Sequence, residues 1–208
     1  MPTLRHLTFA ALAALLAFAS SAEAQTKSKH VLVIGIDGCR PDALEAAKTP
    51  NLDALAEAGA RAIHTDILAP RETPGDTVSG PGWSNLLTGV WPDKHGAVDN
   101  GFKGTHYDEF PHFFARIKEA RPDAVTVSFS TWKPIEAKIL SAADEHADFE
   151  SKGYGPGDQA VKEAAVEMLG KTTPTAAVIY FGQVDHAGHS HGFHPTVPEY
   201  LAAIETVD

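Results

Sequence analysis

Cysteine is nearly absent: the 208 residues hold one, Cys39. No disulfide can form within the chain, so a packed core rather than covalent staples must hold it together. Cys39 itself reads as a small buried residue. Basic residues are also scarce, with 17 Lys and Arg against 27 Asp and Glu and a net charge of −10. A surface of that sign repels polyanions at long range, which argues against a long nucleic acid as partner unless bound cations reverse the field locally. Internal repeats and low-complexity tracts are missing. Beyond the first two dozen residues no apolar run is long enough to span a bilayer.

Those first residues are informative. "MPTLRHLTFAALAALLAFASSAEA" carries Arg5 and His6, then a short apolar stretch, then small residues ending in Ala22-Glu23-Ala24. This is the pattern of a secretory signal, with cleavage expected after Ala24. Residues 1–24 are therefore read as a signal peptide, and the mature chain is expected in a periplasm or outside the cell, with no transmembrane anchor. Cleavage removes one Arg and one Glu and leaves the net charge as it was. A hydrophobic content of 43% with 21% charged residues is that of a globular domain.

Along the mature chain, strand and helix signals alternate. "HVLVIGID" is a continuous β-branched run, expected as a strand buried on both faces. "TPNLDALAEAGA" predicts a helix started by Thr49 or Asn51, with Leu52, Leu55 and Ala56 as its apolar stripe and Gly59 as its stop. A Pro/Gly loop, "ILAPRETPGDT", comes next. The spacing then predicts a helix over Ser79 to Thr88, packed through Trp83, Leu86 and Leu87 and ended by Gly89. "FPHFFARIKEA" is amphipathic, "DAVTVSFS" a strand, and "GDQAVKEAAVEMLGK" a helix with Val161, Ala165, Met168 and Leu169 on one side. "TAAVIYFG" is a second buried strand, and "VPEYLAAIETVD" a last helix. Asp99 to Tyr107 and Ile135 to Gly155 are irregular and read as loops or lids. The class is α/β with a largely parallel sheet flanked by helices.

Open parallel sheets bind ligands beyond the carboxyl ends of their strands. Two predicted strands deliver acids there, Asp37 in "VLVIGID" and Asp185 in "VIYFGQVD". Four residues after Asp185 stands His189, within "HAGHSHGFH". If a turn brings the two together, carboxylate plus imidazole suits Zn²⁺ and its neighbours; the plainer reading is a solvated His-rich loop. Asp37 can equally close an Asx turn. Ser79 can be a helix N-cap, yet a helix start also offers amide N–H groups and positive potential to a phosphate. Gly80 and Gly82 beside it would let a tetrahedral anion approach the backbone. A serine hydroxyl needs a base or a metal to become a nucleophile. No G-x-S-x-G elbow is present, so metal activation is the better route. His95, flanked by Pro92 and Gly96, reads as turn structure rather than a base. Trp83 and Trp91 read as core. Trp132, after a strand, stands nearer the active edge, where it could stack on a base or an aryl group.

Taken together, "VLVIGIDGCRPDAL", "TPNLDALAEAGARA", "TVSGPGWSNLLTGVWPDKHGAVDN" and "VDHAGHSHG" resemble, in order and spacing, the alkaline phosphatase superfamily and within it the type I phosphodiesterase/nucleotide pyrophosphatase family. Residues 25–208 then correspond to the N-terminal portion of a metal-dependent catalytic domain. The resemblance implies two divalent cations, zinc by expectation. Asp37 and the nucleophile Ser79 would touch one, and Asp185 and His189 the other. Asn100 would bind the phosphate with the nucleophile's N–H. It implies hydrolysis of phosphodiester or pyrophosphate bonds in small, nucleotide-like substrates through a phospho-serine intermediate.

Two departures stand out. Many relatives place Thr, a bulky residue and Pro-Asn where Ser79-Gly80-Pro81-Gly82 stands. The family's remaining metal ligands, an Asp-His pair and a further His, fall beyond the D-x-x-x-H segment, and the 208 residues stop first. The expectation is weak or absent turnover from these residues alone, and a longer gene product. Rival expectations are a phosphomonoesterase or phosphonate hydrolase of the same superfamily, or a non-catalytic metal- or anion-binding chain. A sulfatase is disfavoured, because the C-x-[PS]-x-R segment is missing.

Overall fold

The computed structural model describes residues 29–63, 65 and 75–208. The expected signal segment 1–24 and most of the Pro/Gly loop lie outside the described residues. Among the described residues four strands make one sheet: β1 (Val31–Ile36), β2 (Thr126–Ser130), β3 (Glu145–Asp148) and β4 (Ala176–Phe181). Their order is β1-β4-β2-β3, and every pairing is parallel. All four carboxyl ends therefore meet on one rim, and β4, last in the chain, sits between β1 and β2.

The helices are α1 (Pro41–Ala46), α2 (Pro50–Ala58), α3 (Ser79–Thr88), α4 (Pro92–His95), α5 (Phe113–Ala120), α6 (Tyr154–Lys171), α7 (Gln183–His191) and α8 (Pro198–Val207). One face of the sheet, through Val178 and Tyr180, packs on Leu87, Phe114, Ile135, Ile139 and Leu140. The opposite face, through Val127, Phe129 and Ile179, packs on Val161, Ala165 and Met168 of α6. A third cluster joins Ala43, Val184, Ala187, Tyr200 and Ile204, tying α1, α7 and α8 together. No helix among the described residues is long and apolar enough to cross a membrane.

Several expectations need correction. The run 31–36 is not buried on both faces: Val31, Leu32 and Ile34 are exposed, because among the described residues β1 is an edge strand and α6 packs on the inner strands β2 and β4. Leu55, Leu86 and Leu169 also face solvent, so the predicted stripes of their helices are narrower than the sequence pattern. The interval 135–155 is not a loop. It holds a π-helical turn (Ile135–Ile139), β3 and a 3₁₀ turn (Glu150–Lys152). Trp132 lies against Tyr180 and Phe102, with ring centroids 6.3 and 6.0 Å apart, and so belongs to the packing of the rim. His95 is buried, its Nε2 2.7 Å from Asn85 Oδ1, while its Nδ1 accepts the Ala97 N–H at 3.0 Å. That agrees with a structural role. Cys39 is part-buried, and burial pushes its thiol up to about 11.

The π-helical turn carries a buried acid. Glu136 is 5% exposed; its Oε1 accepts from Ser128 Oγ at 2.8 Å, and its Oε2 has no partner. Burial pushes this carboxyl up to about 7, Ser128 and Ser130 oppose the rise, and Asp148 adds to it. Below the ordinary carboxylate range both folded and unfolded chains hold the proton, and the fold is at its full stability. As pH rises through the ordinary carboxylate range toward 7 the unfolded chain ionises first, so stability falls progressively, the loss reaching about 3 kcal/mol only once the folded carboxyl has ionised too, above about 7. Glu136→Gln is expected to remove this loss. Urea unfolding should show the variant more stable than the parent at pH 8 and little changed at pH 4.5. Equal pH slopes for the two proteins would refute the assignment.

Candidate active site

The site begins where β1 ends. The Asp37 N–H donates to Phe181 O at 3.0 Å, extending the ladder with β4 by one residue, and the chain then turns at Gly38, whose φ is +68°. That left-handed conformation suits glycine, and space is as restrictive as the dihedral. A Cβ on Gly38 would lie 2.6 Å from Asp185 Cα and 2.8 Å from Asp185 Oδ1. The first turn after β1 is thus pressed against the start of α7, which brings Asp37 and Asp185 to the same stretch of rim.

The Asp37 carboxylate collects three donors. Oδ2 accepts from Ser79 Oγ at 2.9 Å and from Tyr180 OH at 2.6 Å, and Oδ1 accepts the Gly38 N–H at 2.9 Å. Tyr180 stands in the central strand, where burial and the Asp37 charge push its phenol far above the usual range. It is a fixed donor. Sequence reasoning missed it, although a buried Tyr near a strand's end signals a hydroxyl in search of a partner.

Ser79 is the first residue of α3, and Val78, not Ser79, occupies the N-cap position. The serine hydroxyl is spent on Asp37 rather than on capping. What holds it there is Trp83, one turn further along. Its ring covers Gly35, where a Cβ would come within 2.3 Å, and meets Tyr180 edge-on at 5.0 Å. A side chain at position 35 would push α3, and with it Ser79, off the sheet.

Asn100 reaches the same helix start. Its Oδ1 accepts the Gly80 N–H at 2.6 Å, which orients its amide NH₂ away from that bond as a donor. The two glycines beside Ser79 do not share a role. Gly80 is filled by the chain itself, since a Cβ would lie 2.7 Å from Asp99 O; around Gly82 nothing lies within 4 Å. The expectation that both clear the way for an anion is corrected at Gly80, which makes room for the Asn100 loop.

Asp185 and His189 come together, but not through a loop. Residues 183–191 form α7, and the i, i+4 spacing stacks the two side chains on one face, with His189 Nε2 3.5 Å from Asp185 Oδ2. Burial raises the Asp185 carboxyl, and the Asp37 charge raises it further, while His189 and His186 pull it down. Carboxylate and imidazole are oxygen and nitrogen donors of the kind divalent cations take. Among the described residues no group of three or more His, Cys, Asp or Glu is assembled. The donors stand as two pairs, Asp37 with Ser79 and Asp185 with His189.

A family model of the type I phosphodiesterase/nucleotide pyrophosphatases matches residues 31–208. The chain belongs to that family. An uncharacterised pyrophosphatase/phosphodiesterase of Schizosaccharomyces pombe is 28% identical over 198 residues, which is 86% of this chain and 38% of that protein. Among solved structures, murine ectonucleotide pyrophosphatase/phosphodiesterase 5, an inactive variant in complex with AMP, superposes with a TM-score of 0.59 at 20% identity. The match covers 86% of this chain and 49% of that one. Phosphonoacetate hydrolase from Sinorhizobium meliloti, in complex with phosphonoacetate, gives 0.58 at 19% identity, covering 86% and 51%. Both share the α/β fold of this phosphodiesterase-family chain. The chain spans about half the length of these solved structures, and less of the curated relative.

Proposed function

We propose that the rim around Asp37 hydrolyses phosphodiester or pyrophosphate bonds of small, nucleotide-like substrates, with Ser79 as nucleophile. One observation carries the reading. The hydroxyl at the start of α3 points at a strand-end carboxylate, 2.9 Å away, rather than at its own helix. Family membership and the AMP and phosphonoacetate bound by proteins of the same fold support a small phosphorus-containing substrate. On the N-terminal pattern, we place the mature protein in a periplasm or outside the cell.

The chemistry of the donors fits a pair of divalent cations, zinc in our reading. Asp37 and Ser79 would hold one, Asp185 and His189 the other. When bound, such ions neutralise phosphoryl charge and lower the pKa of a hydroxyl or a water. The protein's own residues do the rest. Asp37 takes the Ser79 hydrogen bond and so orients Oγ. Tyr180 and the Gly38 amide hold Asp37 in turn, so that the carboxylate does not swing toward solvent. In the first turn of α3, Pro81 has no N–H and the Gly80 N–H is given to Asn100. An arriving anion is therefore served by the Ser79 N–H and the Asn100 amide, in the positive field of the helix start. Attack by Oγ on phosphorus forms the Oγ–P bond as the bond to the leaving oxygen breaks, the Ser79 proton being given up and a proton taken by the leaving oxygen. Water then attacks phosphorus, the Oγ–P bond breaks, the phosphate product departs and a proton returns to Oγ.

The rival reading is a metal- or anion-binding chain without turnover, favoured by the two-ligand size of each pair. Zinc titration and an aryl phosphodiester assay separate them, with aryl phosphomonoester and phosphonate substrates run alongside. Diester turnover that requires zinc and exceeds monoester turnover is the expected result. Stoichiometric zinc with no turnover on any of the three would refute the hydrolase.

A further inference from the structure

We propose that Asp158 is a positioning residue for the Asp185–His189 pair, acting as the N-terminal cap of α7 from another helix. This rests on the reading of that pair as cation ligands. The residue before α7 is Gly182, which has no side chain with which to cap it. The amides at that end are instead met by the Asp158 carboxylate. Its Oδ1 accepts the Gly182 N–H at 3.0 Å and its Oδ2 accepts the Gln183 N–H at 2.9 Å. Thr131, just past the end of β2, donates its hydroxyl to Asp158 Oδ1 at 2.6 Å and receives a share of the Gly182 N–H at 3.0 Å. One carboxylate therefore joins the ends of β2 and β4 to the start of α7.

Packing shows that the join is built in. The start of α6 packs closely on the end of β2 and on the residue before α7. A Cβ on Gly157 would lie 2.7 Å from Thr131 Cγ2 and one on Gly182 2.8 Å from the Tyr154 ring, both too close; one on Gly155 would lie 3.3 Å from Gln183 Oε1, a tight contact that the Gln side chain can yield to. Tyr154 also stacks on His186, with centroids 4.8 Å apart. Asp158 is 7% exposed, and the forces on it are burial, a hydroxyl and two amides, with no cation among them. Keeping a carboxylate there is costly unless its bonds are needed. They are needed because α7 is a poor helix by composition, with Gly188 and three histidines in nine residues. A cap at its start, where the helix field favours negative charge, holds it in place. Asp185 lies in its first turn and His189 one turn on, so any rotation of α7 displaces both ligands together. Asp158 touches neither.

The test is Asp158→Asn, which replaces one acceptor oxygen by an NH₂ facing an N–H. Zinc affinity is measured by chelator competition, and hydrogen exchange is followed at the Gly182 and Gln183 amides. The expected result is a loss of zinc affinity of about tenfold or more, with faster exchange at both amides. Thr131→Val, which keeps shape and removes the hydroxyl, should give a smaller loss of the same kind, and Thr131→Ser should restore parental affinity. These two variants decide the matter should Asp158→Asn not fold. Unchanged zinc affinity in a folded Asp158→Asn or Thr131→Val protein overturns the proposal, even where stability falls. A parent protein that binds no zinc overturns the cation reading instead, and the exchange rates then decide the cap alone.

Discussion

Ser79→Ala is expected to lower turnover of an aryl phosphodiester by about 10³-fold or more, the scale seen when a nucleophile is removed. Zinc should stay bound to the Asp185–His189 pair. The substitution is unusually clean. Val78 holds the N-cap position and the Ser79 hydroxyl makes no capping bond, so α3 loses nothing that Ala cannot supply. Asp37 keeps Tyr180 OH and the Gly38 N–H as donors. Stability should fall by no more than the one bond to Asp37, about 1–3 kcal/mol, so activity is compared at a temperature where both proteins are folded. Ser79→Thr, which retains a hydroxyl, should keep measurable turnover. Phosphate trapped on the parent by an acid quench should map to Ser79 and vanish in the Ala variant. Turnover in Ser79→Ala within a factor of ten of the parent would transfer the nucleophile's role to another group.

How far the sequence foretold this arrangement depends on the range of the forces involved. Local signals read well. The helix 79–88 forms as its pattern predicts, and Gly89, with φ +72°, ends it. Strands β2 and β4 lie within their β-branched runs. Asp37 and Asp185 come to one rim because a parallel sheet sends every strand end the same way; Ser79 reaches Asp37 from α3, Asn100 meets the start of that helix, and His189 follows Asp185 by one turn of α7. What failed depends on neighbours far along the chain. The apolar run of β1 says that its side chains suit burial, not that β4 will take the central place and leave β1 at the edge. Strand β3, "EHAD", is short, exposed and polar. It is a strand only because its register with β2 makes it one, and no alternation marks it. The α7 segment read as a loop because its composition disfavours helix; Asp158, 24 and 25 residues before the amides it meets, reverses that preference. Tyr180 and Asp37 lie 143 residues apart and still share a hydrogen bond. No spacing rule reaches so far.

The same long-range closeness makes Gly38→Ala the other substitution with a large expected effect. Two costs add. At φ +68° an alanine is strained by about 1 kcal/mol or more. Its methyl would also enter the space of Asp185, 2.6 Å from Cα and 2.9 Å from Cβ. A backbone atom cannot rotate aside as a flexible side chain does, so either α7 retreats or the turn after β1 opens. The Gly38 carbonyl is itself held by the Tyr200 hydroxyl from α8, and that hydroxyl receives the Arg40 N–H at 3.0 Å, so the turn resists opening. The expected outcome is a destabilisation of about 2–4 kcal/mol in urea unfolding, and, in the protein that remains folded, zinc affinity reduced at least tenfold, since Asp37 and Asp185 are forced apart. Gly82→Ala is the matched control: it lies inside α3 with nothing within 4 Å of the added methyl, and helix propensity predicts a gain of up to about 1 kcal/mol. A Gly38→Ala protein as stable as the Gly82→Ala protein, with zinc affinity equal to the parent's, would show that β1 and α7 do not depend on contact at this point, and the common rim on which the two ligand pairs meet would lose its physical basis.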